Sequence, residues 1–337
     1  MQGEALMAEA KFDVVAVGNA IVDIQMRTPE AFLEEHAIAR GAMTLIDEER
    51  ALYLTGVFNG AAIAAGGSAA NTVTGVASFG AAAGYIGKVA DDALGARFTK
   101  EFRAAGVHFN TQPTAGPPGT ARCLIAISPD GQRSMSTYLG CSTLLEETDL
   151  DAALLQAARV VFLEGYLFDR EAAKRAFVTA SEIAKAAGRR VALTLSDLFC
   201  VERHRESFQH LVRGHVDVLF ANEAELLALY QTADLSTALT QARAQCPIVA
   251  VTRSDKGSLI AGPEGETFVV TAAPVDAVID TTGAGDLYAA GFLYGLSQEK
   301  TLGDCGRLGS IAAAEVIAHM GPRPETPLKA LAEAAGL

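Results

Sequence analysis

Apolar residues along this chain come in two rhythms that take turns. Short, dense runs lie at 13–17 (DVVAV), 83–86 (AGYI), 160–163 (VVFL), 191–195 (VALTL), 217–220 (DVLF) and 247–251 (PIVAV). Their length and β-branched content predict buried strands. Between them, apolar positions recur at helical spacing over 73–79, 91–105, 170–187, 222–230 and 286–296. Gly106 and Gly188 close two of these stretches, as glycine does at helix C-termini. Strands alternating with helices imply right-handed βαβ units. The predicted fold class is α/β, a mostly parallel central sheet flanked by helices on both faces.

Two segments break the rhythm. Residues 122–139, RCLIAISPDGQRSMSTYL, read as a hairpin turning at Pro129-Asp130-Gly131. Residues 22–48 have mixed character and interrupt the first strand-to-helix connection. Both are expected to project from the sheet as a small β-rich lid. The Ala/Gly-rich stretch 60–84 fits close helix packing. The division is then a short leader (1–10, with Met7 a second candidate start), a large α/β nucleotide-binding domain (11–21, 49–107 and 144–337), and a discontinuous lid (22–48 and 108–143).

Composition narrows the function classes. The chain has 337 residues, half of them hydrophobic and a fifth charged, as in soluble globular proteins. Its formal net charge of -13 repels nucleic-acid backbones and anionic membranes, so neither is an expected partner. An anionic substrate needs a locally positive site. The five cysteines are scattered and form no C-x-x-C pair, which fits reduced thiols in a cytoplasmic protein. No apolar window reaches the roughly 20 residues that span a bilayer. The acidic N-terminus has no basic stretch ahead of an apolar one, unlike a secretory signal. His204, His210 and His215 lack metal-ligand spacing and read as surface or packing residues.

Four motifs carry candidate chemistry. Thr281-Thr282-Gly283-Ala284-Gly285-Asp286 leads into a helix. Unpaired N–H groups at a helix N-terminus attract anions, and the glycines admit a phosphate close to the backbone. Asp286, in the first turn, is placed to take a proton from a hydroxyl that attacks a phosphoryl group. Dinucleotide binding requires a third glycine that is absent here, and no Gly-Lys-Ser/Thr follows for a Walker A loop. Asn19 and Asp23 follow the first strand, where open α/β sheets bind ligands, and an aspartate there can accept two hydroxyl hydrogen bonds. Gly66-Gly67-Ser68 permits close backbone approach, with Ser68 a candidate N-cap and Asn71 in the first turn. Asn222 and Glu225 share a helix face and suit water-mediated Mg²⁺ binding. Taken singly, each motif also fits a capped helix or an ordinary loop.

Together and in this order they resemble the ribokinase-like (PfkB) family of carbohydrate and nucleoside kinases, over about residues 12–325. The D-T-x-G-A-G-D signature stands complete at Asp280–Asp286. GGSAAN at 66–71 resembles the family's glycine pair, GKVADDALG at 87–95 its following segment shifted in detail, and Asn222–Glu225 its N-x-x-E. The resemblance implies a ribokinase-like fold and an ATP-dependent phosphotransferase. In it Asp286 is the catalytic base, and Gly283, Ala284 and Gly285 form the anion hole. Asn19, Asp23, Gly66, Gly67, Ser68 and Asn71 hold the acceptor. Asn222, Thr252, Gly257, Gly283 and Gly285 hold ATP, and Asn222 and Glu225 organise Mg²⁺. Asp280 and Thr282 bind a monovalent cation such as K⁺. Many members carry glycine where Ser254 stands. The hairpin and the NAIVDI stretch look most like the adenosine kinase branch. That branch implies Arg133 reaching the phosphoryl group on lid closure, an apolar purine wall of Tyr138, Phe168 and Leu163, and the 5′-OH of adenosine or a related nucleoside as acceptor. A sugar kinase (ribose, fructose or a keto-deoxy sugar acid) is the first alternative. A non-catalytic nucleoside- or sugar-binding regulator is the second. Monomer and homodimer both stay open.

Overall fold

The dense apolar runs become strands in a computed structural model, which describes residues 10–337. All of the expected leader but Ala10 lies outside the described residues. In chain order the strands are β1 (Phe12–Val17), β2 (Ile21–Arg27), β3 (Met43–Leu45), β4 (Ala62–Gly66), β5 (Ala83–Ile86), β6 (Val107–Phe109), β7 (Ala121–Ile127), β8 (Arg133–Tyr138), β9 (Ala158–Glu164), β10 (Arg190–Thr194), β11 (Val218–Asn222), β12 (Ile248–Thr252), β13 (Ser258–Ala261) and β14 (Thr267–Val270).

Nine of them form one sheet in the order β14-β13-β12-β11-β10-β9-β1-β5-β6. Pairing is parallel from β12 through to β6, and β13 and β14 add an antiparallel edge. Side chains alternate across a strand, so each central strand feeds two cores. Val14 and Ala16 pack into one apolar layer, Val15 and Val17 into the other. Phe162 likewise joins the first layer while Val161 and Leu163 join the second. Each such fully buried side chain contributes about 1.5–3 kcal/mol relative to exposure. Helices cover both faces, and several start at an aspartate cap. Asp92 accepts the N–H of Gly95 at 2.8 Å to open Ala93–Ala104, within the predicted 91–105. No described helix is long and apolar enough to cross a membrane.

The other five strands form a small sheet in the order β3-β8-β7-β2-β4. β7 and β8 pair antiparallel around the predicted turn. β4 is a difference from the sequence-based division, which left 49–107 wholly in the large domain. Ala62–Gly66 pairs antiparallel with β2, placing Gly66 opposite Ile21 and Ala64 opposite Asp23. Its run AIAAG has too little β-branched content to announce a strand. The helix Ser68–Ser78 starts earlier than the spacing indicated.

Candidate active site

A cavity of ≈ 600 Å³ lies between the two sheets. The carboxyl ends of the large sheet supply its base: Asn19 just past β1, Glu164 from β9, Thr194 from β10, Asn222 from β11 and Thr252 from β12. This is where an open parallel sheet places a ligand. The small sheet supplies Ile21, Asp23, Cys123, Ile125, Met135 and Thr137. The loop and helix start at Thr281–Asp286 complete the wall.

Asp286 sits in the first turn of the helix Ala284–Ser297. The Ser68 hydroxyl donates to its Oδ1 at 2.6 Å, and Asn71 Nδ2 donates to its Oδ2 at 3.0 Å. Burial pushes the Asp286 carboxyl above the usual carboxylate range, and these two donors pull it back. The helix makes its first i→i−4 bond only at the Leu287 N–H, to the Gly283 carbonyl at 2.8 Å. The N–H groups ahead of it open toward the cavity that Gly283, Ala284 and Gly285 line.

Ser68 is not the N-cap that the sequence suggested. Gly67 holds that place, at φ 102, and Ser68 is the first helical residue. A side chain at 67 is doubly excluded, because a Cβ there would stand 2.4 Å from the Asn19 carbonyl. At 66 a Cβ would stand 2.3 Å from Asp23 Oδ2. The glycine pair therefore lets a carboxylate and a carbonyl press against the chain from two sides. The helix's capping duty falls to Glu164, which sequence reasoning missed. Its Oε2 accepts the Ala69 N–H at 2.8 Å, and its Oε1 accepts Asn19 N and Nδ2 at 3.3 and 3.0 Å. The only sequence signal was an acid closing a buried strand. Burial pushes Glu164 up to about 7, against these hydrogen bonds.

Asp23 is buried, and burial raises its carboxyl to about 7. The guanidinium groups of Arg323 and Arg133 pull it down, and Asp286 pushes it up. Asn19 Oδ1 and Asn71 Oδ1 are buried acceptors without a protein partner. Both residues line the cavity. Asn222 and Glu225 form a reciprocal capping box: Asn222 Oδ1 accepts the Glu225 N–H at 2.9 Å, and Glu225 accepts Asn222 N at 2.9 Å and Nδ2 at 2.6 Å. Burial raises Glu225 to about 7. Each of its oxygens has spent one lone pair, which leaves room for a bound water. No cluster of three or more His, Cys, Asp or Glu side chains forms a direct metal cage among the described residues. A cation here would keep most of its water, as Mg²⁺ does.

Several expected contacts fall elsewhere. Arg133 does not line the cavity; it pairs with Asp280 and ties β8 to the large domain. Asp280 Oδ2 also accepts the Gly321 N–H at 2.8 Å, and Oδ1 accepts the Thr282 N–H at 3.0 Å. With a guanidinium already in place, Asp280 and Thr282 do not fit a monovalent cation in this arrangement. Thr252 lines the cavity, but Gly257 does not; it makes the turn into β13 at φ 77. The expected purine wall is absent from the lining. Leu163 and Phe168 are core residues, Phe168 stacking on Phe208 at 4.4 Å, and the Tyr138 ring lies under Arg122. Tyr166 and Phe199 stand in the cavity wall instead. Both follow strand ends by a few residues, a position that spacing alone marks weakly.

Comparison with known proteins agrees with this geometry. The profile of the pfkB family carbohydrate kinases matches residues 57–329. The crystal structure of adenosine kinase from Sinorhizobium meliloti is 49% identical, covers 97% of this chain and 100% of its own, and superposes with a TM-score of 0.90. A probable sugar kinase protein from Rhizobium etli CFN 42 is 48% identical, over 97% of this chain and 99% of its own, also with a TM-score of 0.90. A 5-dehydro-2-deoxygluconokinase from Geobacillus thermodenitrificans is 28% identical over 75% of this chain and 78% of its own length. The ribokinase-like arrangement of sheets, the intact Asp280–Asp286 signature and these relatives lead to one assignment: the chain belongs to the pfkB family of carbohydrate kinases.

Proposed function

We propose that this chain transfers the γ-phosphoryl group of ATP to a primary hydroxyl, the 5′-OH of adenosine or a related nucleoside. The observation that carries the acceptor class is the slot beside Asp23. Tyr166 and Phe199 line the cavity together with Cys123, Ile125, Met135 and Leu139. Aromatic and aliphatic walls suit a flat, uncharged base. The polar end has Asp23 to accept hydroxyl protons, and Asn19 Oδ1 and Asn71 Oδ1 to accept more. A ribose diol offers such donors.

In the reaction, Asp286 accepts the proton of the acceptor hydroxyl. That oxygen forms its bond to phosphorus as the bond from phosphorus to the bridging oxygen breaks, and ADP leaves with the electron pair. Ser68 and Asn71 hold the carboxylate in place through both oxygens. The N–H groups of Gly283–Gly285 face the charge on the transferring group. Mg²⁺, held through water by Asn222 and Glu225, would neutralise phosphate charge when bound.

A second reading has one observation behind it. Arg203 is the single cation among the described residues that line the cavity, with its guanidinium 4.5 Å above the Phe199 ring. It could face the carboxylate of a sugar acid. ADP release with ATP and adenosine, inosine, ribose, fructose or 2-keto-3-deoxygluconate decides between them. Turnover confined to nucleosides is expected. Turnover confined to sugars would overturn the acceptor, and binding without turnover of any acceptor would make the chain a binding protein.

A further inference from the structure

The segment His319-Met320-Gly321-Pro322-Arg323 belongs to none of the motifs described above, yet it meets every part of the site. Met320 packs on the small sheet's apolar cluster of Cys123, Ile125 and Ile127. The Gly321 N–H donates to Asp280. Pro322 lies against Gly283, 2.8 Å from where a Cβ would stand. Glu315 pins the segment from outside: it accepts the N–H groups of Glu325 and Thr326 at 2.9 and 2.7 Å and pairs with His319 at 3.2 Å.

Arg323 is the segment's unexplained member. Its guanidinium lies 5.3 Å over the Phe102 ring, and Nε and Nη2 are buried without a hydrogen-bond partner. A buried cation needs a counter-charge. Two carboxylates act on it, Asp23 first and Glu101 second. Glu101 is committed: Oε2 accepts the Ala65 N–H at 2.7 Å and Oε1 accepts Arg97 Nε at 2.7 Å. Asp23 is faced by four groups in all: Arg323 from this segment, Arg133 from β8, Asp286 from its helix and Cys123 from β7. Arg133 is committed to Asp280. Arg323 is therefore the uncommitted cation behind Asp23.

We infer that Arg323 is a positioning residue of the acceptor site: it is the counter-charge that keeps Asp23 an ionised, two-hydroxyl acceptor without itself touching the acceptor. This rests on the reading of Asp23 as the acceptor-binding carboxylate. Without the guanidinium, Asp23 holds its proton to higher pH and presents an O–H where the diol needs a lone pair. Acceptor affinity is then lost at neutral pH and recovered as pH rises.

The test has two arms. The first needs no acceptor: carboxyl-carbon NMR titration of ¹³C-labelled aspartate in wild type, Arg323→Gln and Arg323→Lys. The Asp23 midpoint should move up by at least about one pH unit in Arg323→Gln and stay near wild type in Arg323→Lys. An unmoved midpoint overturns the inference. If Arg323→Gln fails to fold, an Asp23 midpoint in Arg323→Lys displaced upward by as much as in an unfolded-tail peptide comparison, with its charge in place, equally overturns it. The second arm is the adenosine KM from about pH 6 to about pH 9. A rise of at least tenfold at neutral pH that shrinks toward alkaline pH, with ATP KM unchanged, supports it; a rise equal at every pH marks a merely structural role. Asp23→Asn separates the levels. If that change leaves the adenosine KM alone, the reading of Asp23 falls, whereas an effect of Asp23→Asn without one of Arg323→Gln removes Arg323 only.

Discussion

Asp286→Asn is the substitution that bears most directly on the proposed chemistry. The structure indicates how the new amide will sit. Asn71 Nδ2 is an obligate donor, so the amide oxygen must face it. The amide nitrogen then faces Ser68, whose hydroxyl can rotate to accept. Both hydrogen bonds survive with one reversed, and a buried charge is removed. The fold should hold, within about 1 kcal/mol of wild-type stability. The amide cannot take a proton at neutral pH. General-base assistance is worth about 10²–10⁴ in rate, or about 3–5 kcal/mol of barrier. The assay is ADP release with adenosine at saturating ATP, alongside urea unfolding of the same preparation. A kcat lowered by that factor in a folded protein is expected. A kcat within tenfold of wild type would refute the assignment of the base. Because burial raises the Asp286 carboxyl, the acidic limb of the kcat/KM profile should lie above the ordinary carboxylate range.

Three further outcomes follow from contacts already described. Gly66→Ala drives a methyl group into Asp23 Oδ2, 2.3 Å away, so acceptor KM should rise at least about tenfold, at a stability cost of about 1–3 kcal/mol, with ATP KM retained; unchanged acceptor kinetics would remove the close packing from the argument. Asp23, Glu164 and Glu225 each hold a proton up to about 7 in the folded chain and only to their ordinary values when unfolded. The folded state binds more protons in that window, so unfolding free energy should fall by a few kcal/mol as pH rises from about 4.5 to about 7 and level off above it; a flat or rising curve in urea titrations contradicts the burial of these groups. Arg133→Met strands the Asp280 carboxylate, so it should cost about 3–5 kcal/mol, and adding Asp280→Asn should recover a large part; additive losses in that double-mutant cycle would dissolve the pair.

The sequence announced the large sheet well, because its strands are buried on both faces. Ala83–Ile86 matches its predicted bounds, and β1, β9, β10, β11 and β12 match within a residue or two. It announced the small sheet poorly. β3 is three exposed residues, and β4 is mostly alanine and glycine; neither carries the alternation that marks a strand. Among the expected site residues, those fixed by backbone constraints came together: Gly67 beneath Asn19, and Ser68 and Asn71 on Asp286. Residues whose place depends on distant packing did not declare themselves. Glu164 and Arg323 carry no motif, because their partners lie in other segments. Phe168 and Tyr166 are two residues apart and indistinguishable by type, yet only Tyr166 reaches the cavity.

The carboxylate proposed to take the proton is held by a hydroxyl 218 positions earlier in the chain. Ser68, Asn71 and Glu164 all leave the ribosome before it, and Arg323 after it. During synthesis the chain therefore displays its acceptor-binding half first and its proton acceptor late. A nascent chain can retain a small molecule on the early half before it can alter one.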